Sequence, residues 1–299
     1  KKNVKRKKKL FKTKKKKKGF VITEQKIPEF KEIKKITQNK KLKLYTLNDK
    51  KNNLEIISHS FIGESQLLKI KYNNSIRNIR VNLIGKIQLK NVLMAIITAK
   101  ISGVSLNKIF NVIKKLKPVD GRFQKIGKIK NLSKVILDYA HTPEALKTCL
   151  LNLREQFPNK NIKVLFGCGG NRDHNKRSKM GKIASHYADN IILTNDNPRL
   201  ENPEKIRKDI KKGIKNKRII EISDRATAIS EAIKNLNTGD VLLVAGKGHE
   251  KIQEIGNKRI YFSDKQVILN KIKVKNRNLS YDLKLNAIKE VARIQKLPR

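Results

Sequence analysis

The chain has 299 residues, of which 38% are hydrophobic, so it is long enough for about two domains with cores of their own. Its formal net charge of +47 would suit a protein that binds nucleic acid or an anionic membrane. We discount this interpretation, because the excess is mostly Lys spread along the whole chain together with many Ile and Asn, a composition typical of AT-rich genomes. No run reaches the roughly 20 apolar residues of a membrane span, no signal-peptide pattern opens the chain, and the two cysteines exclude a disulfide framework and favour a reducing cytoplasm.

The first part of the chain is predicted to be β-rich and to end in two helices. The Lys-rich run 1–18 predicts a solvated helix or terminus, and because residue 1 is Lys rather than Met, we expect the chain to begin inside a longer protein. Short strands are predicted at 20–23, 41–46, 54–62 and 67–84. From residue 88, and again over 106–116, apolar residues recur at helical spacing. The run 118–122 then breaks the pattern, so the first domain is placed at residues 1–120.

The second part of the chain alternates strands and helices. Apolar runs at 135–137, 164–166, 191–193 and 241–244 each lead into polar or glycine-rich residues, and helices are predicted at 143–156, 178–187, 203–214 and 225–236. This alternation predicts a parallel sheet covered on both faces. Right-handed crossovers bring the four strand ends to one edge, where ligands of such sheets bind. This domain is placed at 121–272, followed by an appended tail, 273–299, without an assigned function.

The third of these strands leads into the most informative turn, Asp196-Asn197-Pro198-Arg199. Asn-Pro is a strong turn signal, and the proline makes the turn stiff. A stiff turn with both charge signs suits a zwitterion such as an amino acid, with the acid on its ammonium and the guanidinium on its carboxylate. Taken alone, the same residues fit an exposed surface ion pair of little consequence better than a ligand site.

Four motifs, in this order and spacing, resemble the Mur ligases. They are Asp-Tyr-Ala-His-Thr-Pro-Glu-Ala at 138–145, Phe-Gly-Cys-Gly-Gly-Asn-Arg-Asp at 166–173, Asp-Asn-Pro-Arg at 196–199 and Ala-Gly-Lys-Gly-His-Glu at 245–250, with Gly121-Arg122 ahead of them. The resemblance is strong over 82–268 and weaker over 20–80. It implies an α/β fold, in which a C-terminal Rossmann-like, doubly wound sheet follows the last part of the family's central ATPase domain.

The resemblance also implies an activity. The diaminopimelate-adding members of the Mur ligase family are ATP-dependent amide ligases. They join meso-2,6-diaminopimelate to UDP-MurNAc-L-Ala-D-Glu through an acyl phosphate, in peptidoglycan precursor synthesis. ATP and Mg²⁺ are therefore the expected cofactors, and the UDP-MurNAc-dipeptide and meso-diaminopimelate the expected partners. The family's phosphate loop, magnesium ligands, carbamylated lysine and catalytic residues would precede Lys1. We expect a cytoplasmic monomer, with neither a membrane nor a specific nucleic acid as partner.

Individual roles follow from the same resemblance. The implied diaminopimelate-binding residues are Arg172, Asp196, Asn197, Pro198, Arg199, Gly246 and Glu250. The implied ATP contacts are Asn91 to adenine, Arg122 to phosphate, Asp138 to ribose and His141 near the phosphates. Lysine-adding relatives carry a different residue where Arg199 stands, because lysine has no distal carboxylate. Gln88 departs from the family's usual Asn and is given no role.

Plainer readings stand beside these. Asp138 would also serve as the cap of the helix that begins near Thr142-Pro143, and His141 and His249 as structural residues. Cys168 is predicted to be only a small residue beside the glycines. Positions 177, 179 and 182 are predicted to form a solvated helix face, and His59, His174 and His186 to lie at the surface. The alternative functions are another Mur-type ligase, lysine-adding or folylpolyglutamate-like, and a polybasic nucleic-acid-binding module.

Overall fold

The computed structural model describes residues 19–47, 54–72, 75–215 and 217–295. The predicted solvated segment 1–18 lies outside these residues. The chain divides into two compact units, Lys1–Lys117 and Pro118–Arg299. Among the described residues, no helix has both the length and the apolar content that crossing a membrane requires.

The first unit combines short strands with helices. Strand β1 (Phe20–Thr23) pairs in parallel with β2 (Lys43–Thr46), and helix α1 (Phe30–Asn39) lies between them in sequence. An antiparallel sheet follows, formed by β3 (Leu54–Ile62), β4 (Ser65–Tyr72) and β5 (Ser75–Val81). Helices α2 (Lys86–Ile101) and α3 (Leu106–Ile113) share one apolar core with this sheet. The expectation of strands alone over 20–84 was wrong at α1, where a short helix joins two parallel strands.

The second unit is built on a six-stranded sheet with the order β10-β9-β8-β11-β7-β6. Its strands are β6 (Gln124–Lys125), β7 (Lys134–Asp138), β8 (Ile162–Phe166), β9 (Asn190–Leu193), β10 (Ile219–Glu221) and β11 (Val241–Ala245). All pairs are parallel except β6 with β7. Every residue of β11 is buried, because this central strand packs apolar side chains on both faces. The predicted α/β sheet is confirmed.

The helices of this unit begin where the sequence supplies a cap. They are α4 (Pro143–Gln156), α5 (Asn175–Tyr187), α6 (Pro203–Lys211), α7 (Arg225–Lys234) and α8 (Asp264–Gln295). Before α4, Thr142 accepts a hydrogen bond from the Ala145 N–H, and Pro143 occupies the first turn. The cap of α4 is thus Thr142, and the plainer reading of Asp138 as this cap was wrong.

The last helix runs without a break through the predicted tail. Helix α8 begins at Asp264 and continues to Gln295, so residues 273–295 extend an element of the second unit. An antiparallel hairpin, β12 (Ile252–Ile255) and β13 (Lys258–Tyr261), precedes it and was not predicted. The signal was present, because Gly256-Asn257 separates two short runs by two residues, as in a tight hairpin.

The side chain of Arg177 corrects a prediction for α5. It is fully buried rather than solvated, and its guanidinium binds Glu201 at 2.7 Å and Asp209 at 3.1 Å. Burial raises the pKa of Glu201, but the hydrogen bonds from Arg177 and the Asn171 N–H, together with the charge of Arg177, bring the pKa below its ordinary value. His174, predicted as a plain surface residue, lies 3.4 Å from Glu201 in the same cluster. The cluster joins α5 to α6.

Candidate amino-acid and nucleotide site

Four parallel strands bring their polar motifs to one edge of the sheet. Asp138 at the end of β7 lies beside Ala245 at the end of β11. Leu165 near the end of β8 pairs with Val244, and Phe166 pairs with Leu193 of β9. The residues that follow these strands therefore meet at the carboxyl edge, as predicted. Such an edge is the usual ligand site of a doubly wound sheet.

The turn after β9 is buried rather than exposed. Asp196 and Asn197 are only 9% and 7% exposed. One carboxylate oxygen of Asp196, Oδ1, accepts the Asn197 N–H at 2.8 Å. The other oxygen, Oδ2, faces Gly246, where an added Cβ would lie 2.7 Å away. Gly246 thus allows the two strand ends to approach each other, and its φ of +116° also favours glycine.

Arg199 is held in a defined orientation. Its Nη1 donates to the Gly170 carbonyl at 2.9 Å, and its Nε lies 2.7 Å from Glu254 Oε2. The carboxylate paired with Arg199 is therefore that of Glu254, and the surface pair with Asp196 is not formed. Arg199 has a φ of +53°, a backbone conformation that non-glycine residues adopt infrequently. Hydrogen bonds at both ends of the residue fix this conformation.

The second predicted arginine lies close to the first. Arg172 is exposed, and its Nη1 donates to the Asn171 carbonyl at 3.2 Å. A Cβ at Gly169 would lie 3.0 Å from Arg199 Nη1 and 3.8 Å from Arg172 Cγ. Because Gly169 has no side chain, both guanidinium-bearing residues can lie over the same loop. The loop after β8 therefore offers two positive charges near the turn.

Glu250 connects three of the strand ends. Its Oε1 accepts the Tyr139 hydroxyl at 3.1 Å, and its Oε2 accepts the Asn197 amide at 3.3 Å. The ammonium of Lys247 lies 3.2 Å from the same Oε2. Burial, followed by the neighbouring carboxylate of Glu250, raises the pKa of Tyr139. Neither Tyr139 nor Lys247 was predicted as a site residue, because a single tyrosine, or one lysine among many, carries no signal of its own in the sequence.

The β12–β13 hairpin holds the turn through hydrogen bonds. Gln253 Nε2 donates to the Asp196 carbonyl at 2.7 Å, and the Glu254 carbonyl accepts the Arg199 N–H at 3.0 Å. The Arg199 carbonyl in turn accepts the Gly256 N–H at 2.8 Å. The turn is therefore held by the hairpin as well as by its own proline.

A second group of predicted residues surrounds the ring of Tyr139. The guanidinium carbon of Arg122 lies 4.7 Å from the ring centroid, within the range of a cation–π contact. The rings of His141 and His249 lie 4.6 Å and 5.4 Å from it. A Cβ at Gly121 would lie 2.2 Å from the backbone nitrogen of His249, so a glycine is needed where these two loops pack against each other. Arg122 and His141 are thereby brought together.

Asp138 has structural contacts of its own. Its Oδ2 accepts the Phe123 N–H at 2.7 Å, and Phe123 has a φ of +47°. Burial raises the pKa of Asp138, against the lowering effect of the hydrogen bond from Phe123. Burial also raises the pKa of Cys168 to about 12, so this thiol is not a reactive nucleophile. Cys168 thus lies as a small buried residue beside the glycines.

The remaining predicted contact, Asn91, lies on α2 of the first unit and is exposed. Within the described ranges, no group of three or more His, Cys, Asp or Glu side chains is arranged to hold a metal ion. The residues predicted to bind the amino acid, 172, 196–199, 246 and 250, lie in or beside the group formed by Tyr139, Asn197, Lys247 and Glu250, which we call the edge cluster. Arg122 and His141 lie against the ring of Tyr139, and Asp138 directly precedes Tyr139 in the chain.

A parallel sheet with acids, arginines and close-packed glycines at its carboxyl edge defines a ligand-binding α/β protein of the Rossmann-like class. Comparison with known families gives a narrower result. Residues 2–99 match the Mur ligase middle domain, and residues 121–248 match the glutamate ligase domain of the Mur ligases. The chain therefore belongs to the Mur ligase family.

Individual relatives support this assignment. The chain is 38% identical over 251 residues to a UDP-N-acetylmuramoyl-L-alanyl-D-glutamate–2,6-diaminopimelate ligase of Rickettsia typhi, a match that covers 84% of this chain and 50% of the relative. It is 41% identical over 227 residues to the ligase of that name from Leptospira interrogans, a match that covers 75% of this chain and 44% of the relative. A solved structure of a ligase of that name is 31% identical, with a TM-score of 0.63, and covers 86% of this chain and 53% of that one. The chain spans about half the length of the curated relatives it matches.

Proposed function

We propose that the chain forms part of an ATP-dependent amide ligase that adds meso-2,6-diaminopimelate to UDP-MurNAc-L-Ala-D-Glu in peptidoglycan precursor synthesis. In this proposal it supplies the amino-acid site and part of the nucleotide site. The relatives that carry this ligase's name support the proposal, although the chain spans about half of their length. A place in the cytoplasm follows from the same role.

The observation that carries the proposal is the charge arrangement at the sheet edge. Buried Asp196 and partly exposed Glu250 supply two acids, while Arg199 and Arg172 supply two guanidinium groups over the neighbouring loop. Diaminopimelate carries an ammonium and a carboxylate at each end. Arginine binds a carboxylate through two parallel hydrogen bonds, and an acid binds an ammonium. The edge therefore matches one end of this substrate in both charges, with Asn197, Pro198 and Gly246 shaping the turn.

The reaction needs little covalent chemistry from these residues. An ATP-derived acyl phosphate is attacked by the free amine of the incoming amino acid, so positioning and charge stabilisation supply most of the acceleration. Arg122, Asp138 and His141 form the proposed nucleotide contacts of the second unit, and Asn91 the adenine contact of the first. Asp138 combines this role with its hydrogen bond to Phe123. ATP is the proposed cofactor together with Mg²⁺, for which no ligand is assigned here.

The activity is tested by joining the N-terminal half of the Rickettsia typhi ligase to this chain. We expect the purified chimera to release ADP and form the UDP-MurNAc-tripeptide only when meso-diaminopimelate, the UDP-MurNAc-dipeptide and ATP are all present. The same half-enzyme without this chain is the control. Failure of the 299-residue chain itself to bind meso-diaminopimelate by calorimetry, while it still binds ADP, would refute the proposed substrate.

The two alternatives predict different results. A lysine-adding or folylpolyglutamate-type ligase would use lysine or glutamate at least as well as diaminopimelate, which Arg199 argues against. A polybasic nucleic-acid-binding module would bind DNA or RNA tightly, with a steep dependence on salt. We expect no such binding near physiological salt, where a gel-shift titration checks the point.

A further inference from the structure

Lys247 is a charged residue in the interior of the edge cluster. Its side chain is fully buried, and its ammonium has three acceptors: Asn197 Oδ1 at 2.9 Å, Glu250 Oε2 at 3.2 Å and the Ile252 carbonyl at 2.6 Å. These acceptors match the three donors of an ammonium group. A buried lysine is costly unless its charge is paired and its hydrogen bonds are made, so this arrangement is specific.

The contacts of Lys247 determine which way the Asn197 amide points. Asn197 Oδ1 faces the Lys247 ammonium at 2.9 Å and the Glu254 N–H at 3.2 Å. Both of these groups can only donate, so the atom between them must be the amide oxygen. Two donors also occupy both lone pairs of that oxygen. The orientation therefore follows from the chemistry of the neighbours.

The opposite side of the amide is a donor. Asn197 Nδ2 donates one N–H to Glu250 Oε2 at 3.3 Å. Within the described residues, its second N–H makes no other hydrogen bond. Glu250 is itself fixed, because Lys247 and Tyr139 contact its two oxygens. The cluster thus presents an N–H from Asn197 and a negatively charged carboxylate from Glu250.

We infer that Lys247 is a positioning residue that sets the polarity of the amino-acid site. By holding the Asn197 oxygen, it makes Asn197 a hydrogen-bond donor to a carboxylate of the bound amino acid. By pairing with one oxygen of Glu250, it holds that carboxylate where it can accept from an ammonium of the same ligand. The inference rests on the proposed function, because it assumes that the edge binds an amino acid.

Removing the ammonium would leave both groups less firmly held, Asn197 by the Glu254 N–H and Glu250 by the Tyr139 hydroxyl. In Lys247→Met the side chain keeps its length and apolar stem but offers no donor. The Asn197 oxygen then loses its charged donor and keeps only the Glu254 N–H, so the amide turns over more easily and presents its oxygen, which repels a carboxylate. We expect the Kd for meso-diaminopimelate to rise by roughly tenfold or more, the scale of one lost charge-assisted hydrogen bond. The Kd for ADP should stay within about twofold of the unaltered chain, because Lys247 does not contact Arg122, Asp138 or His141.

The experiment is isothermal titration of the 299-residue chain with meso-diaminopimelate and with ADP. Lys251→Met is the matched control, because Lys251 is exposed and lies four residues further along the same segment. Circular dichroism melting establishes that each variant is folded. Unaltered diaminopimelate affinity in a folded Lys247→Met chain would overturn the inference and leave the proposed function standing. No binding of diaminopimelate by the unaltered chain would instead remove the proposed function.

A second variant tests directly whether Asn197 donates or accepts, and it remains informative even if Lys247→Met does not fold. Asn197→Asp keeps an acceptor facing Lys247 but replaces the N–H donor with a second acceptor. If Asn197 donates to a carboxylate, this variant binds diaminopimelate at least about tenfold more weakly. If Asn197 instead accepted from an ammonium, the added negative charge would leave binding unchanged or make it tighter, and the inference would be refuted.

Discussion

Breaking the buried ion pair between Arg225 and Asp264 by removing one partner is expected to destabilise the second unit strongly. Arg225, at the start of α7, donates through Nε at 2.8 Å and Nη2 at 2.7 Å to the two oxygens of Asp264, at the start of α8. Both side chains are fully buried. The same Nη2 reaches the Ala245 carbonyl at 3.1 Å, so the pair also fixes the strand end that leads to Gly246.

Asp264→Asn removes one charge and leaves the guanidinium buried without a counterion. Breaking a buried pair in this way costs about 3–5 kcal/mol. For a unit of this size each kcal/mol lowers the melting temperature by roughly 2–4 °C, so we expect a fall of about 6–20 °C. The matched control is Asp120→Asn, because Asp120 pairs with Lys265 at the surface and its side chain is 52% exposed. An exposed pair contributes at most about 1 kcal/mol.

Scanning calorimetry of the full chain measures both variants under the same conditions. A third variant, Arg225→Met with Asp264→Leu, removes both charges and should recover much of the loss, because two apolar side chains leave no uncompensated charge. Should Asp264→Asn melt as close to the unaltered chain as Asp120→Asn does, the reasoning from burial would be refuted.

Three further predictions concern the edge and the Arg177 cluster. Arg199→Ala should weaken meso-diaminopimelate binding by roughly tenfold or more while leaving ADP binding unchanged in calorimetry, and equal loss of both would contradict its assignment. Gly246→Ala should weaken diaminopimelate binding in the same assay, because its methyl would lie 2.7 Å from the Asp196 carboxylate, and unchanged affinity would contradict this reading. Because the pKa of Glu201 is lowered in the folded chain, its ionisation stabilises the fold above about pH 4.5, and this stability is lost as the pH falls through the folded pKa. Urea unfolding from pH 6 to 3 should show this loss, and Arg177→Met should reduce its pH dependence.

The elements that carry local signals could be predicted from the sequence. Helix α4 was predicted at its observed bounds, because Thr142-Pro143 supplies both a cap and a first-turn proline. Four of the five parallel strands are short apolar runs with polar ends, and topology then requires those ends to share an edge. The meeting of Asp196, Gly246 and Glu250 therefore follows from sequence and topology together.

The residues that were missed depend on partners far away in the chain. Arg177 lies in a helix rich in charged residues, and its burial arises only because Glu201 and Asp209 fold over it. Lys247 is one lysine among many, and its role depends on Asn197, fifty residues earlier in the chain. Periodicity describes only which face of an element is apolar. It does not show that a remote acid will neutralise a particular cation.

The central claim is that the sheet edge binds an amino acid and distinguishes meso-diaminopimelate from lysine through Arg199. The most direct test is the ratio of the two dissociation constants, measured by titrating each amino acid into the 299-residue chain. We predict that meso-diaminopimelate binds at least about tenfold more tightly, since lysine has no distal carboxylate to bind the Arg199 guanidinium. Equal affinity for the two amino acids, or tighter binding of lysine, would contradict the claim.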